Sequence, residues 1–126
     1  FTVQANNIMQ IDKVIDYFLN TMGIVFYSHR VSYPRALSAQ TLPVPLKEIV
    51  IEKLEKIKTN LVDYPIIQNN PMLLSITERQ VADNINFLKA NDLSHHWQDC
   101  VNFNRALDKT RDQDFLSVIP EFVPYV

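Results

Sequence analysis

The chain has 126 residues, enough for one domain with a real core, and 47% of them are hydrophobic. Its 12 basic and 14 acidic residues leave a net charge of −2. They are mixed along the chain with no lysine or arginine run, which argues against a nucleic-acid partner. No apolar run approaches the roughly 18 residues of a membrane span, so no membrane partner is expected.

The chain opens on Phe1, already inside a strand-like run and without methionine, which reads as a piece of something longer. Phe1 to Gln4 is the end of a strand, and Asn6-Asn7 follows as a turn, with Asn7 as a candidate N-cap. Ile8, Ile11, Val14, Ile15, Phe18, Leu19 and Met22 recur at helical spacing. Gly23, the only glycine, closes that helix at a position that tolerates positive φ. It also rules out glycine-rich phosphate loops, which need several. Ile24 to Val31 reads as a second strand, apolar on both sides of its first half and so covered on both faces. Strand, helix and strand make one βαβ unit.

A loop broken by Pro34 and Pro43 follows, and Pro45 suits the first turn of a helix running to about Val62. Asp63 to Leu74, with Pro65, Pro71 and Asn69-Asn70, reads as a linker or irregular loop. Two helices follow. Thr77 is a candidate cap for Glu78 to Ala90, and Ser94 for a helix turning Trp97, Cys100, Val101 and Asn104 inward. Asp112 or Asp114 starts a last short helix from Phe115, ended by Pro120. The expected fold class is α/β: a βαβ remnant of a partial TIM-like barrel in residues 1–63, then an all-helical region in residues 64–126.

His96 and Cys100 share a helix face beside His95, but a structural zinc site needs four ligands. The only other histidine is His29, so a half-buried histidine beside a buried thiol is the favoured reading, ahead of a metal-dependent hydrolase. Cys100 among apolar neighbours suits the core better than a nucleophile's place. Asp108, Asp112 and Asp114 sit at helix ends, where capping accounts for acids. His29 and Arg30 are more pointed, because they lie near a strand's C-terminal end, where α/β sheets bind ligands. Gln4 and Asn6 hold the matching place on the preceding strand. The lone cysteine and the lack of a signal segment suit a reducing cytoplasm.

Thr2-Val3, Asn6-Asn7, Ile11, Gly23-Ile24, Val31, Pro34, Leu37-Ser38, Leu42-Pro43 and Leu46-Lys47 together form a pattern, matched at the far end by NRALDKTRDQDFLSVIPE, Asn104 to Glu121. The chain resembles the tail of a radical S-adenosylmethionine (radical SAM) enzyme with a twitch-like auxiliary domain. The closing signature is carried by Leu107-Asp108, Arg111, Phe115 and Pro120-Glu121.

The resemblance implies that the front strands end a partial (β/α)6 barrel. Gln4, Asn6, His29 and Arg30 would then line the pocket for S-adenosylmethionine and a peptide or small-molecule substrate. It implies radical chemistry at a four-iron, four-sulfur (4Fe–4S) cluster held by the missing N-terminal barrel portion. The cluster motif Cys-x-x-x-Cys-x-x-Cys is absent, as are the extra cysteines of some twitch domains, and Asp112 stands where the pattern has glycine. The chain is therefore expected to be inactive alone, with an exposed sheet edge at Phe1 to Gln4 and marginal independent stability. The alternative is a small helical protein-interaction module without catalysis.

Overall fold

The computed structural model describes residues 1–126. Apolar side chains at helical spacing dictate most of it. Ile11 and Ile15 of helix α1 (Ile11–Asp16) are fully buried, as is Leu19 in the π-helical turn Tyr17–Met22 that continues it. Gly23 ends the run at φ 62° and ψ 38°, the left-handed conformation that its missing Cβ permits without strain. Leu46, Val50 and Leu54 do the same for α2 (Val44–Asn60), which packs against both α1 and α4 (Pro71–Ala90). The short α3 (Pro65–Gln68) precedes α4; α5 (Trp97–Arg111) and α6 (Phe115–Val118) complete the order. Trp97 meets Phe122 edge to face, centroids 4.9 Å apart, and its indole N–H donates to Tyr125 O at 2.8 Å, so the C-terminal turn is clamped to α5.

The expected barrel remnant is not there. The domain is 74% helical, and its sheet is two strands of two residues, β1 (Thr2–Val3) and β2 (His29–Arg30). They pair in parallel, Thr2 opposite His29 and Val3 opposite Arg30. The residues before β2 are not covered on both faces either. Phe26 and Ser28 are buried while Tyr27 and His29 are exposed, the alternation of a one-sided extended segment, and Ile24 before them is 43% exposed. Nor is the outer edge of β1 open. The Asn7 carboxamide donates to Thr2 O at 2.8 Å and accepts from Gln4 N–H at 2.9 Å, as a neighbouring strand would. Asn7 therefore caps a strand rather than a helix.

Other boundaries shift for identifiable reasons. Pro65 and Pro71 sit in the first turns of α3 and α4, where proline lacks no needed donor, so the supposed irregular loop is mostly helical. The N-cap of α4 is Asn70, whose Oδ1 accepts from Leu73 N–H at 3.2 Å. Thr77 lies inside that helix, fully buried, with its hydroxyl donating to Leu73 O. Ser94 belongs to a 3-10 turn ahead of α5. The proline-rich stretch also departs from a surface loop: Ser38, Ala39, Thr41 and Leu42 are wholly buried. Its polar groups are satisfied internally, with Thr41 Oγ1 donating to Ser38 O and Gln40 Nε2 to Phe87 O, each at 2.7 Å.

Candidate functional site

The α5–α6 corner is built by carboxylates. Asp112 ends α5 in the left-handed conformation, φ 51° and ψ 51°, turning the chain back on itself. Gln113 N–H donates to Asp108 O at 3.1 Å and Phe115 N–H to Asp108 Oδ2 at 2.9 Å, which holds α6 over the last turn of α5. Asp114 caps α6, its Oδ1 accepting from Leu116 N–H at 3.1 Å. The capping roles expected of Asp108 and Asp114 are thus met.

Between these elements lies a cleft of about 410 Å3. Phe115 and Ile119, both buried, give it apolar wall; Asn104, Asp108, Arg111 and Asp114 give it polar wall. Asn6 closes the far side from the turn after β1. Asn104 is only 4% exposed. Its Nδ2 donates to Cys100 O at 2.9 Å and lies 3.6 Å from Cys100 Sγ, while its Oδ1 accepts no hydrogen bond. Arg111 is exposed and makes neither ion pair nor hydrogen bond, although Asp108 lies one turn earlier on the same helix. The cleft therefore presents an acceptor with no protein donor, an unpaired cation and two carboxylates to one space.

The four residues expected to share a pocket are divided. Thr2 and His29 are exposed while Val3 is buried, so the strand alternation places His29, with the half-exposed Gln4, on the open sheet face. Arg30 shares the inner face with Val3, and its buried Nη1 has no hydrogen-bond partner. Asn6 faces the α5–α6 cleft instead. Asn104 was readable as an inward position of α5 but not as a site. The available signal was its amide among buried apolar neighbours, a group that must find partners.

Cys100 is buried, and that burial pushes its thiol up to about 11 against the opposing hydrogen bonds of Thr41 and Asn104. Cluster ligation needs several thiolates. A single buried thiol held protonated does not fit a 4Fe–4S cluster. His96 Nδ1 lies 3.0 Å from Asp99 Oδ2 and stacks near His95, centroids 4.2 Å apart, rather than converging with Cys100. No helix is long and apolar enough to cross a membrane. Neither protein-family models, curated proteins nor solved structures give a match to the chain.

Proposed function

We propose that this chain is a non-catalytic region of a radical SAM enzyme, contributing a polar cleft beside the substrate and inert alone. One observation carries the reading. Asn6 comes from the opening stretch of the resemblance, and Asn104, Asp108, Arg111 and Phe115 come from its closing stretch, yet all line one cavity. Folding thus brings the two ends of the resemblance to one place. On this reading Gln4 and His29, on the open strand face, would meet S-adenosylmethionine held by the rest of the enzyme. The cluster thiolates would come from that other part, in the reducing cytoplasm.

The test is the coding sequence upstream and its product. Three closely spaced cysteines are expected about 100–200 residues earlier, the length of a further domain portion. The longer protein, purified without oxygen, is expected to release deoxyadenosine from S-adenosylmethionine. A reading frame without those cysteines ends the proposal.

A second reading, a helical interaction module without catalysis, is favoured by a different observation. Asn7 closes the outer edge of β1, and Gln80 Oε1 accepts from Ser28 N–H at 3.0 Å beside β2. Side-chain amides thus occupy both flanks of the strand pair, at Thr2 and Gln4 on one side and at Ser28 on the other. A sharp, high-temperature unfolding transition of the chain alone supports the module and counts against the enzyme reading.

A further inference from the structure

We infer that the cleft between α5 and α6 binds a small zwitterion of the amino-acid class. Its carboxylate would lie on Arg111, its ammonium among Asn104 Oδ1, Asp108 and Asp114, and its apolar side chain on Phe115 and Ile119. The inference deepens the enzyme reading in that it rests on the same cleft, but it requires neither cluster nor cofactor.

Asn104 is the starting point. The residue is only 4% exposed, and its side-chain oxygen is not among the buried polar atoms that lack a partner, so what remains open of it is the oxygen at the cleft. Its Nδ2 is engaged within α5, while Oδ1 accepts nothing and the residue lines the cavity. That oxygen is an acceptor left for an incoming N–H. The carboxylates repeat the arrangement. Asp108 spends Oδ2 on Phe115 N–H and Asp114 spends Oδ1 on Leu116 N–H, so each keeps one oxygen without a partner.

Charge then selects the ligand. A simple anion on Arg111 would face two carboxylates, and a simple cation beside the carboxylates would face Arg111. A molecule carrying both charges a few bonds apart answers both. Size is compatible, since about 410 Å3 lies at the lower end of the roughly 300–1,000 Å3 of ligand pockets. The buried Phe115 and Ile119 favour an aliphatic side chain over a polar one.

The full chain, isotopically labelled, is titrated with L-leucine, N-acetyl-L-leucine and L-leucinamide while the Asn104 side-chain amide is followed by NMR. Saturable binding of leucine is expected. Either capped form should bind about tenfold more weakly, the worth of one charge-assisted contact. Arg111→Gln, at an exposed position without partners, should keep the fold by circular dichroism and lose binding by a similar factor. Asp114→Asn, which retains a capping oxygen, should weaken leucine more than N-acetyl-leucine. No saturable shift at tens of millimolar, equal binding of the capped forms, or undiminished binding by Arg111→Gln overturns the inference. Deoxyadenosine release by the longer protein without leucine binding removes this ligand class alone. Leucine binding without such release removes the enzyme reading alone.

Discussion

Asn7 and Gln80 flank one pair of strands from opposite sides. The carboxamide of Asn7 closes β1 at Thr2 O and Gln4 N–H, and that of Gln80 holds the amide and hydroxyl of Ser28, at 3.0 and 3.2 Å. A primary amide carries the same donor and acceptor as a peptide unit, so Asn7, which uses both, stands in for a missing strand, whereas Gln80 supplies only an acceptor beside β2. Ser28 is further tied in because Asn84 Nδ2 donates to its Oγ at 2.8 Å. Asn7→Ala should cost about 1 kcal/mol and Gln80→Ala roughly 1–2 kcal/mol, since the second site is less exposed. Hydrogen exchange is the sharper measurement: Gln4 N–H should lose protection only in the first variant, and Ser28 N–H only in the second.

Two left-handed residues end two helices with opposite consequences. Gly23 at φ 62° has no atom within 4 Å of where a Cβ would stand, so Gly23→Ala meets no clash and its cost is backbone strain alone, about 1 kcal/mol. Asp112 at φ 51° already bears that strain. Asp112→Gly should therefore stabilise the domain by somewhat under 1 kcal/mol, offset in part by the greater freedom of glycine in the unfolded chain. Paired thermal melts should show opposite shifts in melting temperature; two shifts of the same sign contradict the argument.

Acid should loosen the contact between α2 and the segment after α4. The Lys47 ammonium, buried to 7% side-chain exposure, sits 2.8 Å from Asp92 Oδ1 and, with the Ser94 N–H at 3.0 Å, holds the Asp92 carboxyl well below the usual carboxylate range. A carboxyl lowered by folding contributes stability above its unfolded value near about 4, and that contribution is lost as pH falls through the folded value. Asp92→Asn should thus melt lower than the parent at neutral pH, where Lys47 loses its counter-charge. The gap should narrow progressively below pH of about 4. A gap unchanged down to the most acid melt would rule out the pair as its source.

Cys100 should be inert in the folded chain. Burial pushes its thiol up to about 11, so the thiolate that reacts with disulfide reagents is scarce at neutral pH, and access is closed as well. Ellman's reagent is expected to react with one thiol per chain in denaturant and only slowly without it. Rapid native reaction would mean that the α5 core opens far more readily than its packing implies.

Much of this was legible residue by residue. The stripe of Ile11, Ile15 and Leu19, the inward face of Trp97, Cys100, Val101 and Asn104, the left-handed Gly23 and the Asp114 cap all follow local rules of spacing and capping. The strand stretch was misjudged because extended structure is decided by cross-strand neighbours, which a single run of residues does not display. Pro65 and Pro71 looked like breaks because a proline reads alike in a loop and in a first helical turn. Of the four residues expected to share a pocket, Asn6 alone reached the cleft, since adjacent strand positions face opposite ways and only the register says which.

By itself the amino-acid order determined that the chain is rich in helices, which of their faces are apolar and that a single thiol is available, because these depend on neighbours within a turn or two. Only the packed structure decided that Asn7 would finish a strand edge and that Asn104 would leave an acceptor beside the unpaired Arg111. Both are matters of which distant groups remain unmatched once the core has closed.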